Sequence, residues 1–472
     1  MIQNKNNRRY FIGIAALLLM RGILNAYIPL MDKTEARYAE IARIMQETGN
    51  WITPQIDYGV PFWAKPPLST WLSAWSMQAF GVHEFAVRLP YLLATIILIA
   101  YASKFARNQS SAPLIGFILL TIPEFLLHAG VVSTDTMLAF CISMAFLSFW
   151  KAIQQTGRNY WGYLFFVFIG FGLLAKGPIA AILTVPPLVI WAVYMGEYRK
   201  VFRQLPIFTG SLVTLGIAVP WYYLAETETE GFLEYFILGE HFKRFFDSGW
   251  KGDKYGFAKT QPLGIIWVFL FALALPWVQV MIRQLWGHRK QALKDRWVIF
   301  LLLWLVWTPF FFTFSSSLIH PYILPSMVPI ALIVEYYWPK VRKKRLIIGI
   351  SLFFPTLVVV ATAFTVLDDT LETYGKTDKY LLQDLQHGDE GLYYLGNKSY
   401  SSQFYSRGEI QNISIEELEG QLNQGQPFYI IIKKKKLKNI SPKTLERLHL
   451  EQAHYFNGLY KSMRRAPELH KD

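Results

Sequence analysis

The chain has 472 residues, 53% hydrophobic and 16% aromatic but only 17% charged, with a formal net charge of +14. A soluble enzyme of this size carries more charge, and the apolar residues here are bunched into runs of the length that crosses ~30 Å of hydrocarbon. The basic excess falls in short loops between those runs, so it speaks for membrane orientation and against a nucleic-acid partner. The one cysteine, Cys141, sits in an apolar run, which excludes an intrachain disulfide and a cysteine-based metal site.

In chain order, the first run follows MIQNKNNRRY, lacks a small-residue cleavage site, and reads as a membrane anchor near 10–30. Further spans are expected near 86–105, 112–130, 134–152, 160–175, 178–195, 206–224, 262–283, 297–314, 320–338 and 346–367, about eleven in all. With the N-terminus cytoplasmic, alternation puts Lys104/Arg107, Lys151/Arg158, Arg199/Lys200/Arg203, the basic residues of 283–296 and Lys340–Arg345 on the inside. The opposite face receives 31–85, the turn before Asp135, Lys176-Gly177-Pro178, the second long loop 225–261 and 315-SSSLIHPY-322. The tail 368–472 falls on that face too. It reads as a small soluble α/β domain, with helix-forming 415-IEELEGQLNQ-424 ahead of the strand-like 427-PFYIIIKKKK-436. The expected fold is therefore an all-α polytopic membrane protein, residues 1–367, carrying a small α/β domain, residues 368–472.

The polar loop after the first span is the most informative segment. In 35-EARYAEIARIMQET-48 a broad apolar face opposes Arg37, Glu40, Arg43 and Glu47, which predicts a helix lying in the membrane interface and ending at Gly49. Asp32 and Glu35 stand where an N-cap and its reciprocal partner would, so capping is their plain structural reading. The segment 61-PFWAKPPLSTW-71 reads as an aromatic anchor with a snorkelling Lys65. Asp135 could cap its helix with Ser133 or Thr134, Lys176 could snorkel, and His241 and Arg244 could lie on a solvated face. Arg21 is costly inside a span unless it faces other helices.

The run 35-EARYAEI-41, then Gly49-Asn50-Trp51 and Lys65-Pro66-Pro67-Leu68, resembles the first external loop of the protein mannosyltransferase and aminoarabinose (4-amino-4-deoxy-L-arabinose) lipid A transferase superfamily, enzymes of the GT-C fold. The resemblance continues in order through Asp135, Lys176-Gly177, Pro220-Trp221, Glu240-His241 with Arg244-Phe245, and 321-PYILP-325, covering about residues 10–340. It implies transfer of a sugar from a polyprenyl-phosphate donor to a lipid A, glycan or protein acceptor, at the extracytoplasmic face of a bacterial inner membrane. A carboxylate must then take the acceptor proton, and cations must meet the leaving phosphate. The candidates are Asp32 ahead of Glu35 as base with Asp135 assisting; Arg37, Lys65, Lys176 and Arg244 at the phosphate; and Tyr38, His241, His320 and Tyr322 lining the pocket. Two positions depart from the family pattern. Thr34 stands where Asp usually precedes the Glu, and Ala64 where a metal-associated Glu usually precedes the Lys, so no metal or other cofactor is carried over. A transporter or flippase of lipid-linked sugars is the competing reading. It predicts ionisable residues near the midplane, whereas the candidates here, Arg21 aside, cluster at one interface.

Overall fold

The computed structural model describes residues 2–247, 250, 252–256, 261–315, 317–386 and 388–463. Part of the second long loop, 257–260, together with Ser316 and the end of the tail, 464–472, lies outside the described residues.

The first half of the chain runs α1 (Ile2–Tyr27), α2 (Thr34–Thr48), α3 (Leu68–Phe80), α4 (Glu84–Ser103), α5 (Ala112–Thr121), α6 (Pro123–His128), α7 (Thr134–Gln154), α8 (Tyr160–Lys176), α9 (Ile179–Tyr194), α10 (Tyr198–Gln204) and α11 (Ile207–Glu228). A short hairpin of β1 (Gln55–Asp57) and β2 (Val60–Pro61) separates α2 from α3. Helix is the natural state of these apolar runs, because lipid offers the backbone no hydrogen-bond partners.

Among the described residues six helices are long and apolar enough to cross a membrane, or up to seven if one bent pair counts as a single span. Expected spans fall short of that test mostly where proline interrupts the ladder. The stretch 112–130 is broken into α5 and α6 at Pro123, and 262–283 bends by 99° between Ile265–Leu273 and Trp277–Gly287, across Pro276. The stretch 320–338 starts as a 3₁₀ segment, His320–Ser326, held open by Pro321 and Pro325, before it becomes the helix Met327–Tyr337.

The bundle core is aromatic. Phe146 of α7 stacks on Trp304 of the helix Arg296–Thr313 at 4.5 Å between ring centroids, a contact worth about 0.5–1.5 kcal/mol beyond its area. Small residues let α8 approach its neighbours closely, as membrane packing requires: the Phe166 ring covers Gly210, and Gly170 lies against Ile217.

In the tail, β3 (Gly391–Leu395), β4 (Gln411–Ile413), β5 (Phe428–Lys433), β6 (Leu448–Ala453) and β7 (Asn457–Ser462) form a five-stranded sheet in the order β4-β3-β5-β7-β6. The pairs β3–β4 and β3–β5 are parallel, whereas β7 runs antiparallel to β5 and β6. The stretch 415–424 is helical, as its pattern predicts, and starts with a capping box between Ser414 and Glu417. Leu418 and Leu422 of that helix pack on Phe428, Ile430 and Ile432.

The tail folds back onto the first loop. The Tyr405 hydroxyl accepts from the Leu30 amide at 2.8 Å and donates to Glu84 at 3.0 Å, while Lys379 pairs with Glu84 at 2.7 Å and Lys398 with Asp57 at 3.1 Å. This changes the expected setting of α2. Instead of presenting a polar face, α2 packs against the helix Tyr400–Tyr405 as well as α3, and Glu40 and Arg43 are buried. The two form a forked ion pair with contacts of 2.7 and 2.8 Å, and Arg43 also donates to Tyr58.

Candidate active site

Around the turn after the first span, the two first-loop carboxylates part company. Asp32 does not cap α2, whose N-cap position is taken by Lys33 without a side-chain capping bond. Its carboxylate accepts from the Ser401 amide at 3.1 Å and from the Ser401 hydroxyl, under the tail. Burial pushes the Asp32 carboxyl up to about 6 against the bonds from Ser401, with the Asp378 carboxyl adding to the rise. Glu35 receives a fork from Arg88, at 2.8 and 2.6 Å, and a further bond from the Val132 amide at 3.3 Å. Arg88 also donates to the carbonyls of Asn25, Ile28 and Pro29, so it fixes the whole turn after α1.

Four cations were expected at a phosphate, and the two long loops bring two of them onto one carboxylate. Lys65 meets Glu240 at 2.9 Å, and Arg244 reaches both Glu240 oxygens at 3.1 Å and Asp253 at 3.7 Å. Burial pushes the Glu240 carboxyl up, but Lys65 and Arg244 more than reverse it and hold it down at about 2. Glu240 and His241 lie in a π-helix, Glu234–Lys243, which Arg244 directly follows, and it is Glu240 that meets Lys65 of the first loop. Tyr255 staples the two loops, donating to the Pro61 carbonyl at 2.8 Å and accepting from the Trp63 amide at 3.2 Å. Arg37 donates to the Tyr255 carbonyl at 2.7 Å, while its Nε is buried without a hydrogen-bond partner.

The third piece comes from the ends of α7 and α8. Ser133 caps α7, which frees the Asp135 carboxylate to pair with Lys176; both are largely buried. The Lys176 ammonium sits 4.2 Å from the centre of the Tyr322 ring. The His241 ring nitrogens face the carbonyl oxygens of Phe236, at 2.8 Å, and Lys176, at 3.1 Å. Burial lowers the His241 pKa. Gly177 makes this junction possible: its φ is 83°, and a Cβ there would sit 2.6 Å from Phe236 and 3.0 Å from His241. Lys65, Lys176, Arg244, His241, Tyr322 and Asp135 thus form one connected cluster. Tyr38 packs edge-on against Phe62 beside Arg37, with ring centroids 6.0 Å apart. His320 turns instead to Glu124, at 2.9 Å.

Several residues that build the site carry no motif of their own. Arg88 and Arg21 were legible only as charges inside apolar runs. Arg21 donates to the carbonyls of Ala129, at 2.7 Å, and Leu127, at 3.0 Å, satisfying the open end of the broken helix α6. Asp253 and Tyr255 lie in a loop whose convergence on the first loop a linear sequence does not display, and Glu240 was legible as part of a motif but without a role. Where the family carries glutamate before its lysine, the buried methyl of Ala64 stands here, so the first loop offers no carboxylate at that point to hold a cation.

Comparison with known proteins gives a consistent pattern. Residues 27–236 match the family model of dolichyl-phosphate-mannose-protein mannosyltransferase. An undecaprenyl phosphate-alpha-4-amino-4-deoxy-L-arabinose arabinosyl transferase of Erwinia tasmaniensis is 28% identical over 330 residues, 66% of this chain and 56% of that protein. The same-named protein of Aeromonas salmonicida is 30% identical over 318 residues, 65% of this chain and 55% of the relative. The chain therefore spans little more than half the length of the curated relatives it matches. Among solved structures, ArnT from Cupriavidus metallidurans bound to undecaprenyl phosphate superposes with a TM-score of 0.76 at 17% identity, over 96% of this chain and 98% of that one.

Proposed function

We propose that the chain is a glycosyltransferase of the GT-C superfamily, a reading supported by its fold and by motifs shared in order, and that it moves a sugar from a polyprenyl-phosphate donor to a lipid A, glycan or protein acceptor. The reaction takes place at the extracytoplasmic face of the inner membrane, within a bundle of about eleven apolar segments. The basic loops face the cytoplasm, and residues 368–472 form a separate extracytoplasmic domain over the first loop. The observation that carries this reading is the convergence of Lys65, Arg244 and Lys176, from three distant parts of the chain, around Glu240, Asp135 and Tyr322.

The donor phosphate enters that cluster, and Lys65, Arg244 and Lys176 neutralise it, with Arg37 as a further cation whose Nε has no partner of its own. Drawing Lys176 toward the phosphate loosens it from Asp135 and leaves that carboxylate free to accept a proton. Asp135 then accepts the acceptor proton as the acceptor oxygen attacks the anomeric carbon. The bond from that carbon to the phosphate oxygen breaks, and the polyprenyl phosphate leaves with the electron pair. A single displacement of this kind inverts the anomeric centre. Asp32 and Glu35, the first-loop candidates for the base, take the supporting parts, Asp32 in tail docking and Glu35 in the Arg88 clamp.

The test uses the full chain in lipid nanodiscs with a panel of polyprenyl-phosphate sugars and candidate acceptors. Glycosylated acceptor should form together with free polyprenyl phosphate, and added undecaprenyl phosphate should compete. If reconstituted vesicles carry the donor from one leaflet to the other and no donor is consumed, the transporter reading replaces this one.

A further inference from the structure

Outside the cation cluster, Glu124, His128 and His320 form the one group of three or more metal-ligating side chains among the described residues, with one ligand atom from each lying within 4.8 Å of the others. Glu124 and His128 are four residues apart on α6, a spacing that stacks them on one helix face. His320 opens the 3₁₀ segment that also carries Tyr322.

Glu124 is fully buried at 0% exposure, and a carboxylate taken out of water needs a compensating positive charge. The side chains that meet it are both imidazoles. His320 Nδ1 lies 2.9 and 3.0 Å from its two oxygens, and His128 Nδ1 lies 3.3 Å from Oε1. His128 Nδ1 is also 3.0 Å from the backbone carbonyl oxygen of Glu124. A proton donated there leaves Nε2 with a free lone pair, the arrangement in which metal-bound histidines are usually held. The His320 side chain is 49% exposed, which gives an ion a way in.

We propose that Glu124, His128 and His320 bind a divalent transition cation of the zinc class. Two imidazoles and one carboxylate suit zinc, whereas magnesium and calcium favour all-oxygen shells. Three protein ligands leave a fourth position open, on the exposed side of His320. The cation would tie the broken helix α6 to the segment bearing Tyr322, and so hold that ring against Lys176. This role is one of positioning, and it stands independently of the proposed transfer reaction.

The test uses the full, tag-free chain in detergent, stripped with EDTA and titrated with zinc chloride and, separately, cobalt chloride. The parent should retain one zinc per chain after desalting, show the visible absorption bands of low-coordinate cobalt, and unfold at a higher temperature with zinc than with EDTA. His320→Ala alters a half-exposed side chain. It should lose the retained zinc, the cobalt bands and the zinc-dependent rise, each read against its own EDTA baseline because Glu124 also loses a hydrogen-bond partner. Glu124→Gln should lose the retained zinc as well. Two results would overturn the proposal: a parent that retains no zinc, which leaves an imidazolium–carboxylate pair only, or a His320→Ala chain that retains zinc as the parent does.

Discussion

Glu240 is the residue on which the two long loops agree. It draws Lys65 and Arg244 to one place before any ligand arrives, so the cost of gathering two like charges is met by the fold. Lys65→Ala and Arg244→Ala should each weaken binding of undecaprenyl phosphate. Losing a charge-assisted bond worth roughly 1.5–3 kcal/mol corresponds to about 10- to 150-fold in dissociation constant. Lys65→Arg should recover part of this, because a planar guanidinium cannot reproduce a compact ammonium. Binding at the parent affinity by both alanine variants would return Lys65 to a membrane anchor. A second prediction separates the carboxylates. Asp135→Asn should lower single-turnover transfer by about 10²-fold or more while Asp32→Asn transfers at close to the parent rate, since an amide accepts hydrogen bonds but not protons near neutral pH. Full turnover by Asp135→Asn would remove it as the base.

At the scale of elements, the broken helices do the positioning. Gly177 ends α8 where Lys176 must turn inward, and the space for a side chain there is already filled by Phe236 and His241. Gly177→Ala should therefore lower the unfolding temperature and shift the His241 ring, with a cost on the order of 1–3 kcal/mol for a non-glycine residue in that conformation. The pair of readouts is thermal unfolding and transfer rate; unchanged values in both would show that the junction yields freely. The sequence made this architecture partly legible. Every apolar run was visible, because hydrophobic length is a local property. So were Lys65, Asp135, Lys176 and Arg244, through short motifs that keep their order. The breaks at Pro123 and Pro276 were marked by proline, yet whether a proline kinks a helix or splits it depends on neighbours far along the chain. The burial of Glu40 and Arg43 was hidden for the same reason. A helix covered on a second side by a distant helix of the tail reads, in one dimension, as amphipathic and interfacial.

At the scale of the whole molecule, the tail covers the first loop, and Asp32 makes that contact sensitive to pH. Its carboxyl stands near 6 in the folded chain, above the ordinary value of about 3.9. A group raised in this way contributes stability that is complete below the ordinary value and is lost as pH rises through about 6. Hydrogen exchange at Ser401, once corrected for the intrinsic acceleration by hydroxide, should accordingly speed up between about pH 4 and pH 6, the range between those two values. Asp32→Asn should remove its share of that slope, leaving the share of the buried Asp378, whose carboxyl is also pushed up by burial. An identical slope in the variant would assign the sensitivity to other groups.

The same contact joins residues made far apart in translation. Leu30, Asp32 and Glu84 bond to partners 375, 369 and 321 positions later. At about 5–20 residues per second, the turn after the first helix waits on the order of tens of seconds for Ser401 and Tyr405 to be translated. Until then the Leu30 amide and the Asp32 and Glu84 carboxylates face water and headgroups, and the loop stays open to proteases. Seating the tail is thus a late step relative to insertion of the first helix. A chain interrupted before residue 400 would insert its bundle and still leave that turn without the Ser401 and Tyr405 contacts that seal it.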